Sequence, residues 1–107
     1  MAFVLQKERK VWWPVIIRVP VDDGNVEEHK IRLLFHIESR KKWAETDLVS
    51  DILNRVVIDW DLVNDVNGDA VAFSKKNFAL LCEDERAEMA IWKTYDEQVI
   101  AGAPAKN

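Results

Sequence analysis

Apolar and polar residues alternate along residues 11–21. Trp13, Val15, Ile17, Val19 and Val21 form one face, while Arg18 and the prolines Pro14 and Pro20 fall on the other. A second alternating run covers residues 26–37, with Ile31, Leu33, Phe35 and Ile37 opposed to Glu28, Lys30, Arg32 and His36. A period of two sustained this long predicts two strands. Between them stands Asp22-Asp23-Gly24-Asn25, a hairpin signal. Residues directly opposite each other in an antiparallel pair share a face. Both apolar faces are odd-numbered, so paired residues must sum to an even number. A three-residue loop over residues 23–25, with Gly24 or Asn25 left-handed, meets this condition. It predicts Ile17 opposite Ile31, Val15 opposite Leu33 and Trp13 opposite Phe35. Proline cannot donate to a ladder, so the first strand is expected at an edge or with its proline side to solvent.

After residue 38 the period changes. Leu48, Ile52 and Val56 stand four apart, and Val49, Leu53, Val57 and Trp60 form the adjoining stripe. This predicts an amphipathic helix running through Trp60. Trp43 and Ala44 extend it backward, with a break and cap at Thr46-Asp47. An acidic turn around Gly68 follows. Ser74 then caps a helix over residues 75–82, carrying Phe78, Leu80 and Leu81. Asp84 caps a last helix from Glu85 to about Ile100, striped by Ala87, Ile91, Tyr95 and Val99. Residues 101–107 read as a flexible tail beyond an ordered core of residues 3–100. A lone hairpin is marginal in water, so its apolar face must pack on the helices. The expectation is one domain over residues 1–107 of α+β class, an N-terminal antiparallel β-hairpin packed on about three α-helices.

Charge narrows the functional classes. The chain has a net charge of −4, with 32% charged residues. A general nucleic-acid binder needs a basic face, so no nucleic-acid partner is expected. Arg40-Lys41-Lys42, with Lys30 and Arg32 nearby, reads as a solvated helix start. The single cysteine, Cys82, can form neither an internal disulfide nor a thiol zinc site, and reads as a small apolar helix residue. Residues 1–10 lack a secretory pattern, and no apolar run approaches the ~20 residues of a membrane helix. A soluble cytoplasmic protein with no membrane partner is expected.

The acidic turn invites a test as a calcium loop. With Gly68 at position 6 of an EF-hand, Asp65 and Asn67 fit positions 3 and 5. Positions 1 and 12 would then be Val63 and Ser74, which supply no carboxylate. The turn is therefore read as a turn, with Asn67-Gly68 taking positive φ cheaply. Asp59 and Asp61 flank Trp60, and at a helix end they point to different sides. His29 and His36 stand seven apart on one strand, hence on opposite faces. No nucleophile motif or glycine-rich phosphate loop is present. The expectation is no catalytic residue, no metal, no cofactor and no enzyme. The remaining candidates are apolar residues off the core stripes: Trp12 and Ile16 on the hairpin's second face, Trp43 ahead of the helical stripe, and Trp92 beside the last one. They are the candidate partner-binding residues.

Several of these features recur together in one family. An N-terminal Phe3-Val4-Leu5 precedes Trp13-Pro14-Val15 and Val19-Pro20. A strand ends in Phe35, and Arg40-Lys41-Lys42 follows. Trp60, the Gly68 turn, Val71-Ala72-Phe73-Ser74 and Leu80-Leu81 complete the series. From Phe3 to about Tyr95 the chain resembles the tail assembly chaperones of long-tailed bacteriophages. The resemblance implies a non-enzymatic protein of the infected host's cytoplasm, absent from the mature virion. It implies binding to the tape measure protein, which is kept soluble, recruitment of major tail tube protein around it, and self-association. It also implies a longer form made by frameshifting, for which Lys106-Asn107 would be compatible with a slippery A AAA AAC. The rival readings are a minor structural head–tail or tail component and a small regulatory protein-binding module.

Overall fold

Both alternating runs form strands in the computed structural model, which describes residues 1–105. β1 is Lys10–Pro20 and β2 is Val26–His36, paired antiparallel. A third strand, β3 (Val57–Asp61), joins β2 on its other side, giving the order β1-β2-β3. Three helices follow the alternation to its apolar face: α1 (Val49–Val56), α2 (Lys75–Cys82) and α3 (Glu85–Thr94). The α+β class and the N-terminal hairpin are as expected.

The hairpin register differs from the expected one by two residues. Val15 faces Ile31, Trp13 faces Leu33, and Val11 faces Phe35. The even sum survives, so both apolar faces still point to the core, but the loop spans residues 21–25. It holds a short helical turn, Asp22–Gly24, in which Asp23 (φ +64°) and Gly24 (φ +76°) are both left-handed. The Val21 N–H donates to the Asn25 carbonyl at 2.9 Å and closes it. Parity restricts the loop to odd lengths; the second left-handed residue, an aspartate, selects the longer one.

The helix expected through Trp60 stops at Val56. Val56, Val57 and Ile58 form a β-branched run, which favours extended backbone. Leu34 pairs with Asp59 while Phe35 pairs with Val57, so Ile58 is an extra residue in β3. This bulge turns both Val57 and Trp60 inward, at 0% and 8% exposure. Three residues apart, they imitate a helical stripe. Asp59 and Asp61 consequently share the solvent face of β3, rather than diverging from a helix end. Asp61 lies 3.4 Å from the Arg32 guanidinium across the ladder. Trp43 and Ala44 are outside α1. The Asp47 carboxylate accepts the Ala44 N–H at 2.9 Å, and Asp51 accepts the Leu48 N–H at 2.9 Å, so α1 begins only after that turn.

Ser74 and Asp84 cap α2 and α3 as expected, accepting from the N–H groups of Asn77 (3.0 Å) and Arg86 (2.9 Å). The Lys75 ammonium donates to the carbonyls of Val57 and Asn54 at the end of α1. α3 continues without a break into a wide π turn, Tyr95–Ile100. The backbone N–H groups of Ala101, Gly102 and Ala103 bond back to that turn. Lys106 and Asn107, the end of the expected tail and the seat of the frameshift expectation, lie outside the described residues. No described helix is long and apolar enough to cross a membrane.

The core is one cluster between the odd face of the sheet and the helices. Leu33, Phe35, Val15, Leu53, Val56, Ile91 and Tyr95 are fully buried in it. At its edge lies a polar node. The Tyr95 hydroxyl donates to the His36 carbonyl and accepts the Glu38 N–H, both at 2.9 Å. The Glu38 carboxylate in turn accepts from Arg55 at 2.6 and 3.1 Å. Hydrogen bonding to Arg55 holds the Glu38 carboxyl below the usual carboxylate range against the opposing effect of burial. Burial raises the Tyr95 phenol.

Candidate functional site

The ladder determines which backbone groups of β1 face outward. Ile37 N–H donates to Arg9 O (2.8 Å) and Val21 N–H to Asn25 O (2.9 Å). Both are odd-numbered pairs in the β1–β2 register. Bonded and non-bonded pairs alternate along an antiparallel ladder. The even residues Trp12, Pro14, Ile16 and Arg18 therefore turn their N–H and C=O groups away from the sheet. Pro14 and Pro20 fall in this set, where a missing N–H disturbs no ladder bond. Between the two prolines, Ile16 and Arg18 each present a donor and an acceptor on the open edge.

α3 flanks this edge and makes a groove of it. Pro14, Ile16 and Arg18 form one wall; Met89, Ala90 and Gln98 contribute to the other, around a volume of about 680 Å³. The π turn carries Gln98 back to the strand, where its side-chain oxygen accepts the Trp13 indole N–H at 2.7 Å. That bond ties α3 to β1 without covering the edge. Six charged side chains line the groove: Arg18, Arg86 and Lys93 against Glu28, Glu85 and Glu97. Arg18 and Glu28 are paired across the ladder at 3.1 Å.

The four candidate residues fall in two places. Trp12 lies on the open face of the sheet, 38% exposed, with the Arg32 guanidinium 5.0 Å from its ring centre. It pairs with Leu34. Ile16 shares that face and reaches the groove. Trp43 and Trp92 meet each other instead, with ring centres 5.4 Å apart, and both pack against the core. On α3, Trp92 and Ala90 lie on opposite flanks of the buried Ile91, so the tryptophan pair and the groove are on different sides of the helix. The Trp43 indole N–H is buried with no partner among the described residues. The structure therefore unites Trp12 with Ile16, and Trp43 with Trp92, but not the two pairs.

Two exposed apolar features, one in the groove wall and one outside it, were not among the sequence candidates. Met89, 52% exposed, stands off the Ala87/Ile91/Tyr95 stripe, and that offset was the available signal. The second is the N-terminal segment, where Phe3, Val4 and Leu5 are 81%, 62% and 92% exposed.

Other chemistry-bearing groups are spoken for. Arg40 of the basic cluster is paired with Asp96 at 2.7 Å. Burial, aided by Glu88, pushes the Cys82 thiol up to about 12, which leaves little thiolate at neutral pH. His29 is exposed opposite Ile17. In the Gly68 turn, one Asp65 oxygen accepts the N–H groups of Asn67 (2.8 Å) and Asp69 (3.1 Å), which is turn closure. Among the described residues no group of three or more His, Cys, Asp or Glu could hold a metal ion. No protein-family model, curated protein or solved structure matches the chain.

Proposed function

We propose that this chain is a tail assembly chaperone of a long-tailed bacteriophage. In this reading it binds the tape measure protein, keeps it soluble in the host cytoplasm, helps recruit tail tube subunits, and departs before the virion is complete. The observation that carries the reading is apolar surface left uncovered on a small acidic domain. Trp12 stands on an open sheet face that also carries Lys30, Arg32, Asp59 and Asp61, with Arg32 over its ring, in a chain of net charge −4. A long helical client with an apolar stripe and charges of both signs along its flanks suits such a face. The aromatic ring supplies burial, the surrounding charges set orientation, and the net acidity keeps the complex dispersed. Trp12 is the client anchor in this reading, with Leu34 beside it. Trp43 and Trp92 act through packing.

Mass spectrometry of infected cells and of purified virions tests the assignment. The chain is expected in the lysate and missing from the virion. Its presence in virions at a fixed ratio to tail tube protein would establish a structural tail component instead. Normal tails from a phage deleted for the gene would leave a regulatory binding module.

A further inference from the structure

The open edge of β1 and the N-terminal segment of the same chain are complementary. We propose that the groove beside Ile16 receives Phe3, Val4 and Leu5 of a second copy, added as a short strand along β1. Strand addition satisfies the outward N–H and C=O groups of Ile16 and Arg18, which nothing else in the described chain pairs through a ladder. It also buries side chains that are now 62–92% exposed. Phe3 and Leu5 stand two apart, so in an extended strand both face one wall. Aromatic and β-branched residues suit the conformation.

Charge favours the same occupant. The six charges lining the groove balance, three of each sign. They select neither an acidic nor a basic peptide. Residues 2–6, Ala-Phe-Val-Leu-Gln, carry no charged side chain.

Geometry requires the segment to come from another copy. Arg9 is already held in the ladder by Ile37. If the chain folded back over the tightest hairpin, with residues 7 and 8 in the loop, Leu5 would sit opposite Lys10 and Phe3 opposite Trp12. The apolar residues would fall short of Ile16 and Arg18. Arg9 also bonds the Val4 carbonyl and lies 4.5 Å from the Phe3 ring centre, steadying the segment at its root. Segment and groove are different surfaces, so the contact is heterologous and propagates from copy to copy. Such a chain of copies leaves each Trp12 face open.

Sedimentation velocity of the full chain tests this across about two decades of concentration. The mean mass is expected to rise with concentration. Leu5→Asp in the segment and Met89→Asp on the exposed wall of the groove are each expected to raise the association midpoint at least about tenfold. Both positions are solvent-exposed, so far-ultraviolet circular dichroism and the thermal midpoint are expected to stay unchanged. Ile16→Pro, which removes one outward N–H, is expected to do the same. A mixture of Leu5→Asp and Met89→Asp chains retains one intact segment and one intact groove, and is expected to stop at a 1:1 dimer. A wild-type chain that stays monomeric throughout overturns the proposal. So does association weakened by only one of the two aspartate variants, or a mixture that grows past the dimer. The proposal concerns contacts between copies alone. Failure of the client reading with these results intact leaves it standing, and the reverse holds equally.

Discussion

Trp60→Ala is expected to lower the unfolding free energy by about 3–5 kcal/mol, much of what a domain of this size has. Trp60 faces Leu33 across the β2–β3 ladder. Its ring meets Phe73 edge-on, with centres 5.3 Å apart at 90°. Its indole N–H donates to the Val71 carbonyl at 2.7 Å. Truncation therefore opens a cavity and strands a backbone acceptor at once. Trp60→Phe keeps most of the volume and loses only the hydrogen bond, so about 1–2 kcal/mol is expected. Urea unfolding of the three proteins, followed by circular dichroism, reads both values. A loss below 1 kcal/mol for Trp60→Ala would mean that β3 is not the joint between the sheet and the segment leading to α2.

Arg55→Ala is expected to cost about 2 kcal/mol at neutral pH, with a pH dependence that identifies its cause. The figure sits below the range for fully buried pairs because the Arg55 side chain is 42% exposed and solvent screens it. Glu38 has a folded pKa lowered mainly by its hydrogen bond to Arg55. Its stabilisation is therefore fully present above the unfolded carboxyl pKa of about 4.3 and is lost as pH falls through the lower folded value. Without Arg55 the largest lowering cause is gone and burial remains, which favours the neutral carboxyl. The variant then gains relative to wild type on acidification. The gap in urea midpoint between the two is expected to hold from pH 7 down to about pH 4.3 and to narrow below it, as pH falls through the lowered folded value. A gap independent of pH would place the loss in packing of the arginine stem instead.

The legible parts of the fold were those where one local pattern has one meaning. Ser74 and Asp84 are capping residues in front of apolar stripes, and both caps are where the spacing put them. The odd-numbered hairpin face was also recoverable, because pleating admits no other assignment. The hairpin register was not, since parity leaves loops of three and five residues equivalent and only the left-handed Asp23 separates them. β3 was hidden because a bulge at Ile58 gives Val57 and Trp60 the spacing of a helix. That assignment depends on pairing with β2, which no local window contains. Of the candidate site, Trp12 and Ile16 could be placed on an exposed hairpin face from alternation alone. Trp43 and Trp92 look the same in sequence, yet they meet across the fold and pack together. The groove escaped notice because it is made jointly by a strand edge and by the flank of a helix some seventy residues later.

The client reading rests on the exposed face around Trp12, and one experiment addresses it directly. The long helical tape measure protein that this reading makes the client is expressed alone, with the wild-type chain, and with Trp12→Glu. Soluble tape measure protein is expected to rise severalfold with the wild-type chain and to return toward the unassisted level with Trp12→Glu, while the variant itself stays folded and soluble. Equal solubility with and without the wild-type chain would contradict the account.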